Sequence, residues 1–153
     1  MEFDFYGGYK GELSKDLSYD VGAAAYIYPR HGLGISPDTV EIYGALTYGS
    51  MVVKYSHGLT NLFGFSDSKN SFYVEASTSL SLGDGFNLVP HVGYQKVSKN
   101  GDASYVDYSI GLNKEIGGFV ISAGLYGANT DSYIGKGKNL GKAGVSAGLK
   151  FNF

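Results

Sequence analysis

Eight ionisable side chains of this chain, Glu2, Asp4, Asp20, Glu41, Lys54, Glu75, Asp107 and Lys150, are each flanked on both sides by an apolar or aromatic residue. In an alternating segment such a residue stands alone on the polar side. Charges placed this way along a wet wall set ion preference through their local field, and the carboxylate excess favours cations modestly. The same groups can pair across the wall and brace it. Bracing is the leading expectation, and the two roles are compatible. Tyrosines share that side: Tyr6, Tyr26, Tyr28, Tyr43, Tyr73, Tyr105 and Tyr126. They are expected to fill space opposite Gly22, Gly93, Gly111, Gly124 and Gly148, with a pathway for sugars or aromatic solutes as the alternative. The candidate pore-lining set is therefore Asp4, Tyr6, Asp20, Tyr26, Glu41, Tyr43, Lys54, Tyr73, Glu75, His91, Asp107, Tyr126 and Lys150, with Lys10 and Lys96 as less securely placed additions.

Other chemistry is poorly served. Among the histidines only His31 has both a serine and an acid near it, Ser36 and Asp38. A loop histidine is usually just solvated, so no catalytic residue is assigned and an enzyme is not expected. No carboxylate or histidine cluster has metal-ligand spacing, and no metal or other cofactor is expected. Gly135-Lys136-Gly137-Lys138 does not connect a strand to a helix, which rejects a phosphate loop. Lys136, Lys138 and Lys142 are placed to meet lipopolysaccharide phosphates or simply to be solvated.

The elements that must position these residues are strands. Val40, Ile42, Gly44, Leu46 and Tyr48 alternate with Glu41, Tyr43, Ala45 and Thr47; Phe72, Val74 and Ala76 alternate with Tyr73, Glu75 and Ser77. Nine such segments fall at roughly 2–10, 17–28, 39–49, 51–59, 71–82, 87–98, 105–115, 118–128 and 143–153. Most match the 9–11 or so residues of a tilted membrane-crossing strand, against about 5–6 for the average strand. The charges fall on the small, polar side, and the other side is almost free of them, His57 being its main ionisable group. A soluble sandwich places charge outside and a dense apolar set inside. Here the order is inverted, as in a barrel with lipid outside and a wet interior. Tyr9, Tyr19, Tyr48, Tyr94 and Tyr108 lie on the apolar side near strand ends, the position of interfacial girdles.

Composition agrees. Charged residues are 17% of the 153, below the usual share of about 25%. The 24 glycines argue against a helical bundle. Net charge is −2, which leaves no basic field for nucleic acid. The absence of cysteine removes disulfides and thiolate chemistry. No apolar run is long enough for a membrane helix, and the first residues do not read as a signal peptide.

Connections alternate between short ones, near 11–16, 49–50, 83–86 and 116–117, and long ones, near 29–38, 60–70, 99–104 and 129–142. Outer-membrane barrels have short periplasmic turns and long extracellular loops. The last segment then ends in the periplasm, and Leu149, Phe151 and Phe153 read as the terminal assembly signal of such proteins. Counting back through nine segments puts Met1 outside, whereas single-chain bacterial barrels have even strand numbers. The expectation is an N-terminally truncated barrel, with closure of an odd nine-stranded ring as the alternative.

The order of several segments resembles a known family. Glu2-Phe3-Asp4-Phe5-Tyr6-Gly7-Gly8-Tyr9, Tyr19-Asp20-Val21-Gly22 and Tyr26-Ile27-Tyr28-Pro29 come first. Glu41-Ile42-Tyr43-Gly44, Lys54-Tyr55-Ser56, Tyr73-Val74-Glu75-Ala76, His91-Val92-Gly93-Tyr94, Tyr105-Val106-Asp107-Tyr108 and Gly117-Gly118-Phe119 follow. Together they resemble the TorF-like porins, also catalogued as the Gcw_chp conserved hypothetical domain, over essentially the whole chain. The resemblance implies a barrel of about twelve strands, about three of them N-terminal to this sequence.

The reading is an all-β, antiparallel, transmembrane up-and-down β-barrel in the bacterial outer membrane, with nine strands in one domain over 1–153. Its expected function is passive passage of small hydrophilic solutes or ions. Alternatives are a structural or adhesion barrel with a plugged lumen and a soluble lipid-binding barrel. Expected partners are outer-membrane lipid, lipopolysaccharide, the assembly machinery acting on the C-terminal strand, and small hydrophilic solutes.

Overall fold

A computed structural model describes residues 1–135 and 137–151. The strands are β1 (Phe3–Ser14), β2 (Leu17–Ile27), β3 (Thr39–Tyr48), β4 (Met51–Gly58), β5 (Phe72–Thr78), β6 (Leu80–Gly83), β7 (Phe86–Lys96), β8 (Tyr105–Ile116), β9 (Phe119–Ala128), β10 (Ile134–Gly135), β11 (Lys138–Asn139) and β12 (Gly144–Phe151). All but β10 and β11 belong to one antiparallel sheet in the order β1-β2-β3-β4-β5-β7-β8-β9-β12, with β6 also pairing β7. Neighbours in the sheet are neighbours in sequence. The sheet is not closed: among the described residues β1 pairs only with β2, and β12 only with β9.

The expected segments are present, with three instructive differences. First, β1 runs on to Ser14, because a bulge between Glu12 and Ser14 breaks the alternation without ending the pairing. Second, the segment expected over 71–82 is split into β5 and β6 at Ser79. The ladder with β7 is lost at Thr78 and Ser79, which fall opposite Pro90 and Val89, and Pro90 has no N–H to give it. Third, the last loop carries the two-residue hairpin β10–β11.

Turns at one end of the sheet are tight. Asp84 and Gly85 both have positive φ (50° and 75°), as do Gly117 and Gly118 (54° and 86°). This double left-handed geometry matches strand twist in a two-residue hairpin, and glycine adopts it without a Cβ penalty. At the other end the loops 28–38, 59–71, 97–104 and 129–143 are long and pack on one another.

Burial is inverted along the strands. In β4, β8 and β9 the apolar residues are exposed, and the polar or small residues between them are half-buried. Ile42, Leu46, Val53, Val92, Ile110, Leu112, Ile121, Leu125, Val145 and Leu149 all stand exposed on one face. Phe3, Tyr55, Tyr94 and Tyr108 flank this aliphatic band at the loop end, and Tyr48, Phe86, Phe119 and Phe151 flank it at the turn end.

The buried apolar core lies elsewhere, among the loops. Leu62, Val97 and Ala103 are buried together, with Phe65 and Tyr133 packed against them. Polar groups sealed beside them are satisfied. Thr39 Oγ1 donates to Pro37 O at 3.1 Å and accepts the Phe63 N–H at 2.8 Å; Ser68 Oγ accepts the Leu62 N–H at 2.8 Å. Bonds between loops complete this cap. Asn100 Nδ2 donates to Ser66 O at 2.9 Å and Tyr133 Oη to Ala103 O at 2.8 Å, while the Tyr28 ring meets Phe63 edge-on.

Candidate functional site

Strand register decides which side chains share the polar face. Asp4 pairs with Tyr26, Lys10 with Asp20, Tyr43 with Gly22, Lys54 with Glu75, Glu75 with Gly93 and Gly93 with Asp107. Cross-strand partners point to the same side, so the alternating charges and tyrosines gather on one face. That face holds two concavities. Asp4, Tyr6, Asp20, Tyr26, Glu41, Tyr43 and Lys54 line the first, of about 780 Å³ over β1–β4. Tyr73, His91, Asp107 and Tyr126 line the second, of about 630 Å³ over β5, β7, β8 and β9. Lys150 lies outside both, on the edge strand β12 opposite Val120.

Lys10 does share this face, 3.2 Å from Asp20, but its ammonium end is largely in solvent and the pair contributes little. Lys96 does not share it. It stands opposite Phe72, in the same alternating set as Val92 and Tyr94, at the loop end of the apolar face. Lys114 occupies the equivalent place at the turn end, over the Phe86 ring at 4.0 Å. The apolar face is thus charge-free in its middle and carries ammonium groups at both margins, where a long side chain reaches polar surroundings.

Lysine–carboxylate bracing is sparse among the described residues. The Lys54 ammonium instead sits 5.0 Å above the Tyr43 ring, whose hydroxyl donates to Asp20 Oδ1 at 3.3 Å. The densest polar contacts centre on His91. Its Nε2 lies 2.9 Å from Asp107 Oδ1, and its Nδ1 lies 3.6 Å from Glu75 Oε2. Tyr73 Oη donates to Asp107 Oδ2 at 2.9 Å. Four strand residues thus form one network across β5, β7 and β8, and a glycine makes room for it. Tyr73 lies across Gly93, where any Cβ would collide with its hydroxyl. Tyr43 lies likewise over Gly22, 2.7 Å from the position a Cβ would take. The expected filling by tyrosine is found at these two glycines. Gly111, Gly124 and Gly148 instead face Val89, Ser146 and Ser122.

His31, Ser36 and Asp38 do not assemble. His31 Nδ1 accepts the Leu33 N–H at 3.0 Å, Ser36 Oγ accepts the Asp38 N–H at 3.2 Å, and Asp38 Oδ1 accepts the Tyr28 N–H at 2.7 Å. Each side chain shapes its own loop. No group of three or more His, Asp or Glu suited to a metal ion occurs among the described residues. Lys138 and Lys142 are exposed in the last loop, and Lys136 lies outside the described residues. At the C-terminus Leu149 and Phe151 lie on the apolar face, the Phe151 ring 4.7 Å from Phe119; Phe153 lies outside the described residues.

The sequence reading did not foresee the contribution of the last loop. Thr130, Tyr133, Leu140 and Gly141 join Tyr105 and Tyr126 around the second cavity. Tyr133 also lies outside the strands, and burial pushes its phenol up to about 12, with Tyr105 adding to the shift. The available signal was the apolar residues Phe63, Phe65, Val97 and Tyr133 within loops rich in Gly, Ser and Asn.

A family model described as a bacterial protein of unknown function (Gcw_chp) matches residues 1–153, so the chain belongs to that family. No curated protein and no solved structure matches the chain.

Proposed function

Taking membership of the Gcw_chp family as the premise, we propose that this sheet is the wall of a bacterial outer-membrane β-barrel, with its apolar face toward lipid and its polar face lining a passage for small hydrophilic solutes or ions. One observation carries the reading: over most of β4, β8 and β9 an exposed aliphatic or aromatic group recurs at every second position, while the polar or small residues between them are mostly half-buried. In water such a face is a large exposed apolar patch of the kind that monomeric soluble proteins rarely keep. In lipid it is the favourable arrangement, and the aromatic margins with Lys96 and Lys114 fit the two interfaces. The resemblance to TorF-like porins points the same way.

In this reading the outer edges of the sheet, at β1 and β12 among the described residues, join, either with each other or through further strands, because an open edge in hydrocarbon costs several kcal/mol per unsatisfied group. The short turns then face the periplasm, and the loop cap faces outward with Lys138 and Lys142 near lipopolysaccharide. Assembly would read the C-terminal strand.

The test has two stages. The full chain should need detergent or vesicles to fold, and folded protein should migrate differently on gels before and after heating. Reconstituted in a planar bilayer, it should conduct with modest cation preference, which Glu41→Gln and Asp4→Asn together reduce. Folding to a monomer without detergent would overturn the membrane assignment. Silence at high protein load would favour a second reading, a structural barrel plugged by its own groups. The interlocked loop cap over Val97 and the network around His91 are what favour that reading.

A further inference from the structure

The two cavities of the polar face differ in their chemistry. Lys10 and Lys54 line the one over β1–β4, along with three carboxylates, Asp4, Asp20 and Glu41. Among the described residues no lysine or arginine lines the other, and the imidazole and carboxylate that do, His91 and Asp107, face each other at 2.9 Å. Tyr73 donates to the same carboxylate. These groups are engaged within the wall. What remains toward the space is ring surface, together with the hydroxyl of Ser109 and that of Thr130, which also accepts the Ser132 N–H at 3.2 Å.

The rings are arranged in two ways. Tyr126 reaches over the neighbouring strand: its Cζ and hydroxyl are 2.6 Å from where a Cβ of Gly144 would stand. The ring occupies the space that Gly144 leaves by having no side chain, while the residue as a whole is 46% exposed. Tyr105 stands as a wall, meeting Tyr133 edge-on at 5.3 Å and 85°. Leu140 of the last loop lies at the cavity margin. The result is an exposed tyrosine ring, a perpendicular pair of tyrosine rings and neutral hydroxyls around about 630 Å³, within the range of small-molecule sites.

We infer that this cavity binds a neutral pyranose sugar. A pyranose has a flat C–H face that packs on a tyrosine ring and a rim of hydroxyls that exchange hydrogen bonds with hydroxyls and backbone. An ammonium or carboxylate ligand would need a counter-charge not already engaged, and an alkyl chain would leave the hydroxyl rim unsatisfied. The inference deepens the proposed solute passage and takes its physiological meaning from it, but the binding itself is measurable whether or not the chain conducts.

The experiment uses the full chain folded in a polyoxyethylene detergent, which has no sugar headgroup, or in buffer if it folds there. Methyl β-glucopyranoside, the open-chain polyol sorbitol and choline chloride are titrated by calorimetry. The pyranoside is expected to bind at least about tenfold more tightly than sorbitol, which has hydroxyls but no fixed ring face. Tyr126→Leu, at an exposed ring outside the hydrogen-bond network around His91, should abolish most of the difference while the gel shift on heating persists. Tyr6→Leu, in the other cavity, should leave it intact. Equal binding of sorbitol, tighter binding of choline, or no binding by protein that is demonstrably folded would each overturn the inference. Loss of conductance with sugar binding retained would overturn the passage alone.

Discussion

In β8, Val106, Ile110 and Leu112 hold their side chains out from the sheet, and Ile110 is 46% exposed. A few residues earlier in the chain, Val97 is completely buried beside Leu62 and Ala103. The same kinds of side chain thus meet opposite fates in the strand wall and in the loop cap. The wall is held by its backbone ladder and by tyrosines laid over glycines. The cap is held as an ordinary protein interior is, by apolar burial with satisfied polar neighbours. The difference teaches that the two regions bury apolar groups differently: the cap covers its own, and the wall leaves them outward, as the proposed lipid setting would favour.

Four substitutions test that contrast, beginning with the strongest. Ile110→Arg places a charge in the middle of the apolar face. It should destabilise the vesicle-folded protein by about 2–4 kcal/mol in urea titrations, since a midplane arginine on a lipid face costs that much. A change near zero would mean the face is in water. Val97→Ala should cost about 2 kcal/mol in the cap, detected as faster proteolysis and amide exchange of loops 59–71 and 97–104, with the strand ladder still protected. Equal loosening of both regions would erase the distinction between them.

Gly93→Ala addresses the wall from within. The new Cβ collides with Tyr73 and pushes it from Asp107, at an expected cost of about 1–2 kcal/mol. Combining it with Tyr73→Ser should recover part of the stability, which thermal melting followed by strand circular dichroism would read. No penalty in the single variant would show that Tyr73 is free to relax.

The smallest effect concerns pH. The Tyr133 phenol is pushed up to about 12 by burial, above its usual value near 10. Its folded form therefore holds the proton more firmly, so its contribution is complete below pH 10 or so and disappears as pH rises through about 12. Loop proteolysis should accelerate across that alkaline window. Tyr133→Phe, which also removes the bond to Ala103 O worth about 1 kcal/mol, should abolish the pH step. A step that persists in the variant would assign it to another group.

Much of the wall was legible in advance. The eight charges flanked by apolar neighbours fixed the polar set, because a period of two leaves no freedom in which side a residue faces. The alternating short and long connections fixed the order of hairpins. Strand ends were less readable: the bulge near Glu12 and the interruption opposite Pro90 depend on what lies across the ladder. Lys96 was assigned to the wrong face for a similar reason. As a terminal residue of β7 its side is set by the register with Phe72, and its own charge says nothing about that.

From its sequence alone this protein determined that it would be an antiparallel chain of long two-faced strands, with which residues on which face. That information is local: it needs only the sign of hydrophobicity at every second position. The network of Tyr73, Glu75, His91 and Asp107, the interlocked cap and the tyrosine-lined cavity were decided by the tertiary structure. They bring together residues from three or more strands and from loops without periodicity. Their contacts depend on register and on the space left by a missing side chain at Gly93, neither of which a single segment encodes.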